Sequence, residues 1–183
     1  MIGLASACLL LVSTACGDGD DGVGLPVPTG TYEDGTVTAM LVADGRFDAL
    51  VSLFETAKVF MGPPGAEQVI GNAAEVAGGP DWDHTVFAPT DEAFSRLEQH
   101  TLDCMFEEAN ATMSVRVHVV PQVLNSDMFR TGEVLTIGGP VAMLVDGRNA
   151  SFAEAGILET DIEATNGVIH VIGAVNVPSV CEG

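Results

Sequence analysis

Apolar residues in the first part of the chain recur at helical spacing. An apolar stripe predicts an amphipathic helix that begins near Gly45, with Asp44 as its N-cap. The stripe consists of Phe47, Leu50, Val51, Phe54 and Ala57. Residues 66–77 contain Ala and Glu and predict a second helix, which the glycines and proline at 78–80 end.

The hydrophobic pattern changes to β-branched runs in the second half of the chain. These runs predict strands, and Gly138-Gly139 and Asp146-Gly147 between them are typical of hairpin turns. The runs cover residues 115–120, 134–137, 141–145, 157–162 and 168–172. Helices early and an antiparallel sheet late indicate one α+β domain over about residues 36–179.

A short β run, Thr85 to Ala88, lies between the two halves and leads into a predicted helix start. Thr90 is placed as the N-cap, and Asp91 and Glu92 occupy the first turn, where the helix dipole favours acidic groups. Phe94 and Leu97 then turn towards the core. An acidic corner that contacts a ligand is the functional alternative for these carboxylates.

The N-terminal segment has the pattern of an export signal. Residues 1–15 contain an uncharged apolar stretch followed by small residues, and this stretch is too short to span a bilayer. Cys16 resembles the lipidated cysteine of a bacterial lipoprotein, with plain secretion as the alternative. Residues 16–35, rich in Gly, Asp and Pro, predict a flexible tether after that cysteine.

The charge balance narrows the classes of partner. The 183 residues include 6 Lys and Arg against 26 Asp and Glu, which gives a net charge of −20. Nucleic acid, anionic lipid and sulfated glycans are therefore disfavoured as partners, because binding them requires basic side chains. We expect a membrane contact only through the lipid anchor, and a neutral or basic partner or one bridged by Ca²⁺.

Two cysteines are left for the folded domain once Cys8 and Cys16 are assigned to the signal and the anchor. Cys104 and Cys181 form a candidate disulfide if the chain matures in an oxidising compartment. Two separate thiols are the alternative, since the sequence does not fix the distance between their Cα atoms.

Catalytic patterns are missing from the sequence. It contains no Gly-x-Ser-x-Gly elbow, no cysteine beside a histidine and no phosphate-binding glycine loop. His118 and His170 lie within β-branched runs and are interpreted as hydrogen-bonded core histidines. Asp83 and His84 fall in a predicted loop, but two adjacent residues do not make a metal site. We therefore predict no enzyme, no cofactor and no metal.

Several stretches resemble the hallmark segments of the fasciclin (FAS1) domain family. The run from Thr85 through Phe87, Pro89, Thr90 and Asp91 to Phe94 is similar to the first segment. The run from Ala164 through Asn166, Gly167 and His170 to Ile172 is similar to the second. His118, followed by Val119, Val120 and Pro121, resembles the central Tyr-His segment, and Asp161-Ile162 resembles the family's Asp-Ile dipeptide.

This resemblance implies a β-wedge of about seven strands with helices packed along it, and a module for adhesion rather than catalysis. It also implies that the two hallmark segments form neighbouring strands. Asn166-Gly167 fits a tight turn with positive φ before the second of these strands. Val117 replaces the usual Tyr before His118, so the integrin binding of animal relatives is not carried over. Residues 180–183 are left as a C-terminal tail.

The function predicted from these features is an exported binding or adhesion module. It sits in a bacterial envelope, on its extracellular or periplasmic side, or is secreted, and it contacts a protein or polysaccharide through loops at one end of the sheet. A passive structural spacer of the envelope is the alternative. A metal-dependent hydrolase that uses acidic loops and His84 is a third hypothesis, resting only on the surplus of Asp and Glu.

Overall fold

A computed structural model describes residues 35–57 and 83–182. The predicted signal at 1–15, Cys16, nearly all of the tether and the helix predicted over 66–77 lie outside these residues. Within them, no helix is both long enough and apolar enough to cross a bilayer.

Five helices occur in the described part of the chain, and they are short. In chain order they are α1 (Val37–Asp44), α2 (Asp48–Thr56), α3 (Asp91–Ser95), α4 (Gln99–Phe106) and α5 (Glu108–Arg116). Of these, α2 is the most deeply buried, and every residue from Ala49 to Phe54 is shielded from solvent.

Seven strands form one mixed sheet, which confirms the predicted α+β class and the expected number of strands. The strands are β1 (His84–Pro89), β2 (Val119–Val120), β3 (Gly132–Thr136), β4 (Gly139–Asp146), β5 (Asn149–Phe152), β6 (Ala155–Ala164) and β7 (Gly167–Ile172). Their order across the sheet is β2-β1-β7-β6-β5-β4-β3. All neighbours are antiparallel except β1 and β7.

The parallel pair β1–β7 joins the two halves of the domain. Thr85 lies opposite Val168 and Phe87 opposite His170, so the two hallmark segments are adjacent strands, as predicted. Every residue of both strands is buried. Long runs without polar alternation are typical of strands covered on both faces.

The sheet curls until its two ends approach each other. The Ile137 amide donates to the Val119 carbonyl over 2.8 Å, and the Gly138 amide donates to the Arg116 carbonyl over 3.0 Å. These bonds join the β3–β4 turn to the segment around β2. The sheet is therefore close to a barrel, with one inner and one outer surface.

Two apolar cores lie on opposite sides of this curled sheet. The outer core packs α1, α2, α4 and α5 against Val86, Ala88, Ile169 and Val171 of β1 and β7. The inner core fills the curl and centres on Phe87, Phe152, Met143 and Ile172. Phe87 and Phe152 stack there, with their ring centroids 3.8 Å apart.

Several sequence-based boundaries are wrong. Asp44 does not cap the following helix, because it ends α1, and Gly45 closes that helix in the left-handed conformation at φ 74°. The run 115–120 is not one strand, because Val115 belongs to α5 and only Val119 and Val120 pair with β1. Helices α1, α4 and α5 and strand β5 were not predicted as separate elements.

Candidate functional site

The first hallmark segment holds the fold together from within. The Thr85 hydroxyl donates to the Gln122 carbonyl and accepts from the Leu124 amide, both over 2.8 Å. Thr85 is fully buried, as is Phe87 in the inner core. Both side chains therefore act on packing and on the course of the loop after β2, and neither reaches a ligand.

Thr90 and Asp91 cap two different helices. The Thr90 hydroxyl accepts from the Ala93 amide and so caps α3, as predicted. The Asp91 carboxylate instead accepts from the amides of Asp48 and Ala49 over 3.2 and 2.8 Å, at the first turn of α2. Asp91 lies in the first turn of α3, as predicted, and its carboxylate in addition binds the start of a helix that precedes it in the chain.

His118 is a buried, neutral hydrogen-bonding link. Its Nδ1 lies 2.8 Å from the Ser114 carbonyl and its Nε2 accepts from the Asn176 amide over 3.1 Å, so the proton resides on Nδ1. Burial lowers the pKa of His118 to about 4, despite the opposing effect of the Ser114 carbonyl. The ring ties α5 to the segment after β7.

His170 makes an equivalent link with the opposite tautomer. Its Nε2 lies 2.7 Å from the Leu124 carbonyl, and its Nδ1 accepts from the Asp161 amide over 3.1 Å. Burial lowers the pKa of His170 below its ordinary value. This ring joins the loop after β2 to β6 through the inner core.

Asp161 occupies an irregularity in β6, where the pairing with β7 shifts between Glu159 and Ile162. Its φ of 59° is unusual for a residue other than glycine. Both carboxylate oxygens accept from Ser126, one from the amide over 2.8 Å and one from the hydroxyl. Burial acts to raise the pKa of Asp161, but these hydrogen bonds outweigh it and hold the pKa low. Ile162, half-buried, faces Ile169 of β7.

Asn166 and Gly167 form the predicted turn before β7. The Asn166 side chain accepts from the Val37 amide over 2.8 Å at the start of α1. Gly167 has φ 155°, and a Cβ on it would lie 2.1 Å from the His84 carbonyl oxygen. Only glycine fits there, because β1 passes directly over the backbone. Among the remaining hallmark residues, Pro89 and Phe94 are buried, in β1 and α3.

Cys104 and Cys181 are joined by a disulfide with their Cα atoms 5.7 Å apart. It fastens a 3-10 turn at Ser179–Cys181 to α4. Cys181 is buried in the outer core, so the predicted tail at 180–183 begins as part of the packed domain.

The hypothesis of a metal site depended on His84 in an accessible loop, and the structure contradicts that placement. His84 was placed in a loop, but it is a buried residue of β1. No group of three or more His, Cys, Asp or Glu that could hold a metal occurs within residues 35–57 and 83–182. The carboxylates with displaced pKa values have partners on the protein: hydrogen bonds from the Arg46 guanidinium lower the pKa of both Asp44 and Glu159.

The outer surface of the sheet away from the helices carries exposed leucines. Leu135 on β3 is 63% exposed, Leu144 on β4 is 56% exposed and Leu158 on β6 is 62% exposed. Pro140 and Ala142, which are also exposed, share the outward side of β4 with Leu144, and Pro140 lies directly opposite Leu135. We call these five residues the leucine strip. In the sequence, every residue from Pro140 to Val145 is apolar, so the signal of the strip is a strand that is apolar on both sides.

Exposed carboxylates flank the strip. Glu133 on β3 lies opposite Ala142, and Asp146 ends β4 two positions beyond Leu144. Glu154 lies in the β5–β6 turn, where the neighbouring Ala153 amide donates to the Ala142 carbonyl over 2.9 Å. Arg148, in the β4–β5 turn, is a basic residue near the end of the strip where Asp146 lies.

Comparison with known proteins identifies relatives of this sequence. The chain is 34% identical over 98 residues to Protein sll1483 of Synechocystis sp. (strain ATCC 27184 / PCC 6803 / Kazusa), covering 51% of this chain and 54% of the relative. The chain thus spans about half the length of that relative. It is 29% identical over 140 residues to Uncharacterized protein sll1735 of the same organism, covering 74% of this chain and 92% of the relative.

A solved FAS1 domain pair from the insect cell adhesion molecule Fasciclin I also matches. Its TM-score is 0.46 at 17% identity, covering 72% of this chain and 46% of the insect chain. The family model of the fasciclin domain matches residues 66–178, which is more than half of the sequence. The chain therefore belongs to the fasciclin domain family.

Proposed function

We propose that this chain is an exported FAS1 module of a bacterial envelope that works by contact with another macromolecule. The family is linked to adhesion and binding in general. The finer statement is that residues 1–15 direct export, Cys16 carries a lipid anchor or follows a cleaved signal, and residues 36–179 form the binding domain. Catalysis has no part in this proposal.

The leucine strip is the observation that carries the binding role. Three leucines that are each more than half exposed lie on one side of one sheet, while the hallmark residues are engaged in internal hydrogen bonds and packing. Contiguous exposed apolar surface on a soluble domain marks sites of interaction. We therefore propose the outer side of β3–β6 as the binding surface.

The Cys104–Cys181 disulfide supports the proposed location outside the cytosol. Disulfides persist in secreted and envelope proteins, whereas the reducing cytosol keeps such thiols free. A tether between a lipidated Cys16 and the domain would hold the strip away from the membrane surface, where a partner can reach it.

Fractionation of the native cells tests export. We expect the protein in the envelope or medium, an acylated Cys16 or a cleaved signal by mass spectrometry, and no titratable thiol from Cys104 or Cys181 after denaturation without reductant. Cytosolic protein with both thiols free would contradict the proposal.

Photo-crosslinking in the same cells tests the contact role. A crosslinking amino acid is placed singly at surface positions across the domain, including Leu144, Met128 and Val180, all of them exposed. We expect at least one position to yield a discrete adduct. We also expect cells that lack the gene to attach less well to surfaces. No adduct at any position, together with unchanged attachment, would favour a passive spacer.

A further inference from the structure

We propose that the leucine strip docks a protein surface that presents aliphatic side chains flanked by Lys or Arg. This docking role rests on the proposed contact function and names the chemistry of its partner. The strip follows the outward side of β4 from Pro140 to Leu144, a length of about 13 Å, with Leu135 beside it on β3 and Leu158 across β5 on β6.

The side of the sheet is fixed by the strand register. Leu144 lies opposite Ser151 of β5, and Ser151 lies opposite Gly156 of β6. Leu158 packs against Gly173, the residue that follows β7. Its side chain is within 3.6 Å of the position that a Cβ on Gly173 would take. The small residues Ser151 and Gly156 therefore lie between Leu144 and the strand that carries Leu158.

Charge complementarity identifies the partner. Glu133 and Glu154 lie on either side of the strip at Ala142, and Asp146 lies beyond Leu144. These three exposed carboxylates outnumber the two nearby arginines, Arg148 and Arg96, and Arg96, which donates to the Gly173 carbonyl beside Leu158, also pairs with Glu92. An interface combines an apolar centre with a charged rim of complementary sign, so the partner's rim is basic.

A second copy of this chain is a poor occupant. Two copies pressed together through their strips would oppose carboxylates to carboxylates, and each chain carries a net charge of −20. Like charges facing each other across an interface are unfavourable by several kcal/mol. A basic partner meets the same carboxylates without this repulsion.

Binding of three defined peptides to the purified full chain tests this inference. The probe is a twelve-residue peptide that alternates Val and Lys; one control alternates Ser and Lys, and the other alternates Val and Glu. We expect the Val-Lys peptide to bind, with a Kd at least about tenfold lower than that of either control. Equal binding of the Ser-Lys peptide would overturn the inference, because charge alone would then explain the contact.

Strip variants locate the binding site. We expect Leu135→Ser and Leu144→Ser each to raise the Kd of the Val-Lys peptide by about tenfold, since each removes an aliphatic contact. Val180→Ser is the matched control, because Val180 is 59% exposed and lies outside the strip. Thermal unfolding of all three variants verifies that they fold. An equal loss with Val180→Ser, or no loss with the strip variants, would overturn the assignment.

Rim variants test the charge argument. Glu133→Gln and Glu154→Gln should each weaken Val-Lys binding by about threefold at low salt, and the difference from the unmodified chain should shrink as salt is added. Glu98→Gln, an exposed carboxylate at the start of α4, is the control and should leave the Kd unchanged. Equal effects of Glu98→Gln and the rim variants would overturn a specific basic rim.

Two further outcomes separate this inference from the proposed function. A dimer in analytical ultracentrifugation that Leu144→Ser dissolves would overturn the basic partner in favour of a second copy. Crosslinked adducts in cells at Met128 or Val180, with none at Leu144, would overturn the leucine strip while the contact function stands. Adducts at Leu144 to a protein with a basic, aliphatic surface would support both.

Discussion

The two halves of the sheet differ in what covers their outer surface. Over β1 and β7 the outer surface is packed beneath α1, α2, α4 and α5, and leucines such as Leu50 and Leu53 are fully buried there. Over β3 to β5 and the first part of β6 the same side of the sheet meets solvent, and Leu135 and Leu144 are more than half exposed. The inner surface is largely apolar, with His170 packed among its phenylalanine rings.

This difference shows that an apolar side chain is not necessarily buried when helices cover only part of a sheet. A leucine contributes to folding only if another element covers it, and an uncovered one is available for a partner. The helix-covered side therefore stabilises the domain, and changes at outward-facing positions of the uncovered half should leave the fold intact. Four measurements test this division.

Removal of the disulfide should have the largest effect. The bond closes a loop of 77 residues and fastens the chain end to the helical side. In the chain-entropy description, Cys104→Ala with Cys181→Ala costs about 4 kcal/mol of the free energy of unfolding. Urea denaturation of oxidised protein, reduced protein and the double variant measures it. A loss below ~1 kcal/mol in both would show that the helical side does not depend on this bond.

Leucine truncation compares the two halves directly. Leu50→Ala should cost about 3.5 kcal/mol, because it opens a cavity beneath the helices. Leu144→Ala should change the free energy of unfolding by less than ~0.5 kcal/mol, since its side chain is already in water. Denaturant midpoints at unchanged m-value provide both numbers. Similar losses at the two positions would contradict the division.

Acid should weaken the helical side through His118. The unfolded histidine titrates near 6.5 and the folded one at about 4, so the unfolded state binds the proton first. Stability is therefore complete above pH 6.5 and falls by about 3 kcal/mol as the pH drops to 4. His170 shifts in the same direction. Urea unfolding across this pH range measures the slope, and His118→Gln should flatten it; an unchanged slope would refute the role of His118.

Glycine substitution compares the close contact between β1 and β7 with an open position on the uncovered half. Gly167→Ala should cost about 2 kcal/mol, because its Cβ would collide with the His84 carbonyl of the neighbouring strand. Gly156→Ala is the matched control on the uncovered half, where a Cβ would meet nothing within 4 Å, and we expect a change below ~0.5 kcal/mol. Equal thermal shifts in the two variants would show that the close contact at Gly167 relaxes freely.

Much of the fold could be predicted from local pattern. The turn glycines and β-branched runs indicate β3, β4, β6 and β7, and the resemblance of the hallmark segments indicates that β1 and β7 are neighbours. The run 115–120 misled, because β-branched Val115 belongs to α5, where its burial against α2 outweighs helix propensity.

The candidate site was harder to predict because its residues are defined by distant contacts. Asp91 caps α2 from a distant part of the sequence, and His84 lies buried opposite Gly167 at the start of β7. The sequence of β4 is apolar from Pro140 to Val145 without alternation, so it does not reveal which side the helices cover. That side is decided by tertiary packing, so the loops at the end of the sheet were the expected docking surface.

The parallel pairing of β1 with β7 also orders events while the chain is made. Strand β1 is synthesised early, but its parallel neighbour β7 is synthesised only near the end of the domain. Contacts between segments so far apart in the sequence form slowly. Until then β1 is an apolar edge that invites association with other chains. A chain whose folding waits for β7 exposes that edge for longer.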